Sequence, residues 1–371
     1  MSSDNKSKKN DKIYPPSHKY FSNRIKQTLS VHFCLWTLIV SPFCFISILL
    51  LFGFYTILWP FASLYLIWFI YDHKNPRRGS RPSEFVKNWN IWRLMAEYFP
   101  VELHKTAEIP PTENYIFCAH PHGILGSSSM LLFSTNANNI QKLFPGINIY
   151  GATLDVNFWF PIRREFFMAL GIISCNQESI SYVLSRPEKG NAVGIVPGGA
   201  AESLESYPYV HRLILKNRKG FVRLAIKNGA SLVPVYHFGE TNLFQQISTK
   251  EFTLARKFQN FVKRWTSVAF PFIYGQNFIA SFLPDNYIHK LPRFFTIGLL
   301  PFRHRVVTVE PFLKNNFCIV GAPIPVKKDD NPSEELVDAV HAEYCLKLRE
   351  MFNEYKSTFG GLSKDDELQF L

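Results

Sequence analysis

The sequence predicts an α/β fold in which helices cover a largely parallel sheet, and three observations carry that expectation. Apolar runs at 115–119, 192–196 and 231–238 have the length of buried strands and are bounded by glycine, proline or polar turn residues. Helical patterns lie between them, one at 124–133 and one opening at Arg218-Lys219-Gly220-Phe221, with Gly229 in the capping position after Asn228. Strand and helix thus alternate, the order that sets helices on the faces of a parallel sheet.

A chain of 371 residues with 47% hydrophobic residues has ample material for a core. The six cysteines show neither close pairs nor metal-ligand spacing, which predicts reduced thiols and a cytosol-facing protein. A formal net charge of +12 admits nucleic acid, anionic lipid or anionic substrates as partners. The membrane is selected by the stretch 31–71, which is 41 residues without Asp, Glu, Lys or Arg, where one span needs roughly 20. Pro42, Gly53 and Pro60 interrupt it, so a transmembrane or re-entrant helical hairpin is expected. Basic residues flank both ends, among them Lys8, Lys9, Arg24 and Lys26 before and Arg77, Arg78 and Arg81 after, which puts both termini in the cytosol. The expected organisation is a disordered basic tail at 1–30, a membrane hairpin at 31–71 and a cytosol-facing domain at 72–371. Nucleic acid is not an expected partner.

Within the domain, a helix over 88–98 ends at Phe99-Pro100 and leads to the first strand. That strand runs into His120-Pro121-His122-Gly123, and carboxyl ends of strands are where open α/β sheets place their chemistry. Strands are expected at 148–154 and 171–175. Between them Arg163 and Arg164 stand in an aromatic setting suited to a phosphate-bearing partner. The strand at 192–196 breaks at Pro197-Gly198-Gly199-Ala200-Ala201-Glu202, where paired glycines allow an anion-binding or oxyanion-binding turn. The amphipathic stretch 251–269 fits either a membrane interface or packing on the sheet. A long charged helix over 333–356 closes the chain.

Two histidines one residue apart fit metal binding, phosphoryl transfer or acyl transfer. Metal is the weakest of the three, because no HExxH, cysteine cluster or carboxylate-rich loop accompanies them. His211 and His237 are the residues that could complete a ligand set. Nucleotide phosphotransfer lacks its Gly-x-x-x-x-Gly-Lys loop.

The ordered motifs Tyr98-Phe99-Pro100, His120-Pro121-His122-Gly123, Pro197-Gly198-Gly199 with Glu202, Arg218-Lys219-Gly220-Phe221-Val222, Val233-Pro234-Val235 with Phe238-Gly239-Glu240, Val320-Gly321-Ala322-Pro323 and His341-Ala342-Glu343-Tyr344 resemble the second diacylglycerol acyltransferase family, which includes monoacylglycerol and wax-alcohol acyltransferases. The resemblance implies a glycerolipid-acyltransferase-like αβ sandwich in the endoplasmic reticulum membrane, with lipid droplets as a further location. It implies transfer of an acyl group from acyl-CoA, a co-substrate, to diacylglycerol or a similar neutral-lipid hydroxyl, with no other cofactor, no metal and no covalent acyl-enzyme. Self-association into a homo-oligomer is left open.

For that reaction His122 is expected as general base, His120 as its helper and Glu202 as the partner stabilising imidazolium. Backbone N–H groups near Gly123 or Gly198-Gly199 are expected to meet the oxyanion. Arg163, Arg164, Arg218 and Lys219 are expected at the CoA phosphates. The reverse assignment of the two histidines stays open, and a non-catalytic membrane lipid-binding scaffold is the rival from another class. Gln276-Asn277 replaces the Arg-Gly common in the family, and 309–317 reads as an insertion.

Overall fold

Tyr115-Ile116-Phe117-Cys118-Ala119 has no charged side chain and lies at the centre of the sheet. In the computed structural model, residues 17–37, 56–248, 253–266, 271–283, 292, 297–302 and 316–371 are described. The strands are β1 (Val101–Lys105), β2 (Tyr115–His120), β3 (Asn148–Thr153), β4 (Ile173–Ser174), β5 (Asn191–Ile195), β6 (Arg212–Leu213), β7 (Ser231–Phe238), β8 (Gln245–Gln246), β9 (Ile273–Gln276), β10 (Ile297–Gly298), β11 (Asn316–Val320) and β12 (Gln369–Phe370). Seven of them form one sheet in the order β1-β11-β7-β2-β5-β3-β4, with β2 in the middle. Every pairing in it is parallel except β11 with β7, so the expected parallel-rich α/β architecture is found.

Both faces of β2 are covered, which is why the strand is uniformly apolar rather than alternating. Ile116 and Cys118 face one layer with the helices Gln177–Leu184, Gly220–Asn228 and Glu334–Tyr355. Tyr115, Phe117 and Ala119 face the other, with Leu132 and Phe133 of the helix Ser127–Ser134 and Ile140 of Ile140–Leu143. A third apolar cluster joins Val31 and Cys34 to Trp92, Met95 and Phe99.

Local details differ from the sequence reading for physical reasons. The helix expected over 124–133 begins at Ser127, because Gly126 takes a left-handed conformation at φ 67 that ends the preceding turn. The helix Glu334–Tyr355 starts where Ser333 Oγ accepts the Leu336 N–H at 3.2 Å. Strand β11, the neighbour of β7, and the helix Gln177–Leu184 are additions to the expected elements. Asn277, one of the two departures from the family pattern, caps the helix Phe278–Phe282 through Ala280 N–H at 2.7 Å. Most of 309–317 lies outside the described residues.

The tail assigned to 1–30 requires a correction from Ser17 onward. A helix runs Ser17–Leu35, and Arg24 Nε and Thr28 Oγ1 both donate to the Ser281 carbonyl at 3.3 Å. Of the expected hairpin, 38–55 lies outside the described residues. Among those described, no helix is long and apolar enough to cross a membrane. The helix Trp59–Tyr71 nonetheless buries no residue, and Phe61, Leu64, Ile67 and Ile70 are all about two-thirds exposed. The helix Thr253–Thr266 also turns its apolar stripe outward, with Leu254, Phe258, Phe261 and Trp265 exposed.

Candidate active site

Three adjacent strands of the sheet, β7, β2 and β5, run parallel and end on the same edge. Each is followed by one motif: β2 by Pro121-His122-Gly123, β5 by Pro197-Gly198-Gly199 and Glu202, and β7 by Gly239-Glu240. Strand pairing therefore brings together segments that are far apart in sequence, with the double-histidine turn between two carboxylates. This is the edge on which open parallel sheets bind ligands.

The part-buried His122 ring directs Nδ1 at the Gly123 carbonyl, 3.1 Å away, and at Ser203 Oγ, 2.9 Å away. A carbonyl can only accept, so this bond puts the proton on Nδ1 and leaves Nε2 as the basic nitrogen. Burial holds the imidazole below the ordinary histidine range, with the Gly123 carbonyl opposing. The ring is thus neutral at pH 7 and offers a lone pair.

His120 is placed differently. Alternation along β2 turns it to the face of Ile116 and Cys118, where it is fully buried and its Nε2 meets the Tyr344 hydroxyl at 2.9 Å. Desolvation lowers its pKa to about 3, with His237 adding to the effect. Its hydrogen bond goes to Tyr344 rather than to the His122 imidazole and the ring is shut off from solvent, so the geometry places the expected helper in the core. His237 bonds Ser129 Oγ at 3.0 Å, and His211 bonds the Tyr236 hydroxyl at 2.9 Å.

Glu202 is 1% exposed and spans two chain segments. Its Oε1 accepts the backbone N–H of His122 at 2.6 Å and its Oε2 that of Ile214 at 3.0 Å. Its carboxylate meets the backbone of His122 rather than the ring. Burial lifts its pKa to about 7 against those two bonds and the nearby Arg218 charge. Gly198 is required for this fit, since a Cβ there would lie 1.9 Å from Glu202 Oε2. Gly199 takes φ +57 with open space around its Cβ direction.

Glu240 mirrors Glu202 across the turn. Its Oε1 accepts Ser127 N–H at 2.9 Å, and its Oε2 accepts Ser128 N–H at 3.0 Å and Ser128 Oγ–H at 2.6 Å. It also crowds the turn, because a Cβ on Gly123 would meet Glu240 Cγ at 2.6 Å. The sequence reading assigned no role to Glu240, Ser203 or Tyr344, although Glu240 and Tyr344 stood inside its motifs.

The four expected cations separate. Arg164 is 1% exposed, held by Asp72 at 2.5 Å and Glu165 at 2.7 Å; a guanidinium committed to two carboxylates inside the protein is not available to a phosphate. Arg163 donates to Asn157 Oδ1 and lies over the Phe160 and Phe167 rings at 5.8 and 5.3 Å. Lys219 is paired with Asp338 at 2.5 Å on the surface. Arg218 is exposed, and its charge acts on Glu202.

Fold and site define an α/β protein whose polar centre lies at the carboxyl edge of a mostly parallel sheet and offers a basic imidazole nitrogen. The diacylglycerol acyltransferase family model matches residues 51–371, and the chain belongs to that family of acyltransferases. Mouse diacylglycerol O-acyltransferase 2 is 40% identical over 314 residues, covering 85% of this chain and 75% of that one. Mouse acyl-CoA wax alcohol acyltransferase 1 is 39% identical over 332 residues, 90% of this chain and 93% of the other. Human 2-acylglycerol O-acyltransferase 3 is 39% identical over 317 residues, 85% and 86% of the two chains. No solved structure matches the chain.

Proposed function

We propose that this chain transfers a fatty acyl group from acyl-CoA to the hydroxyl of diacylglycerol in the endoplasmic reticulum membrane, with His122 Nε2 as general base. The observation that carries the reading is the Nδ1 contact to the Gly123 carbonyl, which leaves Nε2 unprotonated. An alcohol is a poor nucleophile at neutral pH, so its proton must be removed as it attacks the thioester carbonyl. The new C–O bond forms as the proton moves to Nε2; the C–S bond then breaks, and the CoA thiolate takes that proton back. The first half leaves the ring protonated and the second returns it to its neutral state, and no acyl-enzyme is needed.

Glu202 serves this chemistry by fixing the backbone of His122, and Arg218 is the cation best placed for CoA phosphates. Backbone N–H groups of the Gly123 and Gly198-Gly199 turns are the oxyanion donors in this reading. The exposed apolar helix Trp59–Tyr71 and the outward stripe of Thr253–Thr266 support attachment to a bilayer, from which the acceptor is drawn. The wax-alcohol and 2-acylglycerol relatives are within one percentage point of identity of the diacylglycerol relative, so a competition among those acceptors belongs in the test.

Microsomes containing the wild-type chain, given labelled acyl-CoA and a mixture of diacylglycerol, monoacylglycerol and long-chain alcohol, are expected to form mainly triacylglycerol. The His122→Ala chain is expected to form almost none. Full activity of that variant would remove His122 from the reaction, and a wax ester as main product would reassign the acceptor.

A further inference from the structure

Trp159 and Ile162 are both about two-thirds exposed, in the loop between β3 and the helix Arg163–Ala169. The loop is firmly built. Phe158 and Pro161 are buried, and the backbone is tied by Trp159 N–H to the Val156 carbonyl at 3.3 Å and by Arg164 N–H to that of Phe160 at 2.9 Å. Two apolar side chains are thus held outward by two buried neighbours.

Ile162 is also strained. At φ 68 and ψ −54 it is the middle of a three-residue turn closed by Arg163 N–H to the Pro161 carbonyl at 2.8 Å, the rare γ-turn of positive φ. A β-branched residue fits positive φ badly, and strained residues persist mainly where function holds them. The strained tip of this loop presents nothing but hydrocarbon.

The loop adjoins the helix Trp59–Tyr71. Tyr65 Oη accepts the Ile162 N–H at 3.3 Å, and Arg164 lies over the Phe69 ring at 5.1 Å. The helix therefore rests on the domain through Tyr65 and Phe69 and leaves Leu64, Ile67 and Ile70 exposed, so its apolar surface meets that of the loop. Lys74 and Arg78, just past the helix end, are exposed and complement the charge of lipid phosphates. β3 runs parallel to β5, and β5 to β2, so the loop leaves the sheet on the edge that carries His122. The helix Thr253–Thr266, with its outward apolar stripe, is tied to the same edge, because Arg256 pairs at 3.0 Å with Glu205, three residues after Glu202.

We propose that Trp159 and Ile162 enter the bilayer beside the helix Trp59–Tyr71, so that the sheet edge bearing His122 faces the membrane. The proposal rests on the bilayer attachment proposed above and adds to it which side of the domain meets lipid. An indole suits the headgroup level, where its ring is in lipid and its N–H is wet, and Ile162 exchanges water for hydrocarbon.

Two measurements on the full chain test it, and neither needs turnover. In the first, Trp159→Cys, Ile162→Cys and Glu188→Cys are each made in a Cys175→Ser chain, since Cys175 is exposed. Glu188 is exposed just before β5, at the opposite edge of the sheet. Nitroxide labels are read in phosphatidylcholine vesicles containing phosphatidylserine. Oxygen, which partitions into lipid, is expected to relax the labels at 159 and 162 several times more than a water-soluble nickel chelate does, with the order reversed at 188. Labels at 159 and 162 open to the chelate overturn the proposal. Labels shielded from both relaxants overturn it too, because they mark cover by a second copy or another protein. A chain that does not join the vesicles overturns the bilayer reading itself.

In the second, the tryptophan fluorescence of the wild type is quenched in vesicles of phosphatidylcholine brominated high on its acyl chains. Trp159→Phe, a mild change at an exposed position, is expected to lose part of the quenched signal while keeping vesicle binding and Tm. An unchanged quenched signal overturns the proposal.

Discussion

Glu202 grips the backbone of His122, its Oε1 accepting that N–H at 2.6 Å, while the imidazole turns toward Gly123 and Ser203. The carboxylate sets where the ring stands, and the Gly123 carbonyl sets which nitrogen is basic. Position and tautomer are fixed by different groups, so they separate on mutation.

The two histidines separate first. His122→Ala is expected to lower kcat by about 10²–10⁴ with a small fall in Tm, since its part-buried ring bonds the Gly123 carbonyl and Ser203 Oγ alone. Tyr344→Phe removes the hydroxyl partner of buried His120 and is expected to cost about 1–2 kcal/mol, read as a lower Tm with kcat largely retained. If Tyr344→Phe instead abolishes turnover in a fully folded chain, His120 has a direct part in the chemistry.

The paired glycines respond unequally. Alanine at 198 would place Cβ 1.9 Å from Glu202 Oε2 and displace the carboxylate from His122, so activity and Tm are both expected to fall. Alanine at 199 meets no atom within 4 Å but must hold φ +57, a strain of about 1–2 kcal/mol. Its activity is expected to stay closer to wild type, and steady-state assays with thermal melts of both variants check the contrast.

The cations divide between stability and binding. Arg164→Ala removes one of the two guanidinium partners of buried Asp72 and leaves Arg81 at 3.0 Å, so it is expected to cost about 1–3 kcal/mol, seen as a lower Tm. Arg218→Ala is expected to leave Tm unchanged and raise KM for acyl-CoA severalfold, most at low ionic strength because exposed charges are screened by salt. An unaltered KM at low salt would take Arg218 out of CoA binding.

Part of the pH response follows from Glu240, whose carboxyl, like that of Glu202, is raised from 4.5 to about 7 by burial. Folding favours its protonated form, so its contribution is full below pH 4.5 and is lost as pH rises to about 7. His120 and His237, both lowered from 6.5 to about 3, contribute in the opposite sense: fully above pH 6.5, and less as pH falls toward 3. Glu240→Gln removes only the first effect. The difference in Tm between variant and wild type is expected to rise in the variant's favour from pH 4.5 to 7 and then level off; a difference that is flat with pH would show that Glu240 does not titrate there.

The sequence by itself determined the α/β class, the strand–turn–helix setting of His120-Pro121-His122-Gly123 and the glycine turn with Glu202, because apolar runs and turn residues act locally. β7 occupies the residues read from its pattern, β2 extends one residue further, and β5 is shifted by one residue. Residue type alone could not separate Arg163 and Arg164 from Arg218, since burial and the Asp72 pairing depend on how distant segments meet. Glu240 was quoted but given no task for the same reason. Its bond to Ser127 joins positions 113 residues apart, and the grip of Glu202 on His122 joins positions 80 apart. Only the order β7-β2-β5 brings three strand ends to one edge, and that order is set by pairing between distant strands. The tertiary structure therefore decided which carboxylate reaches which atom, and it brought Ser203 Oγ to the His122 ring across 81 residues.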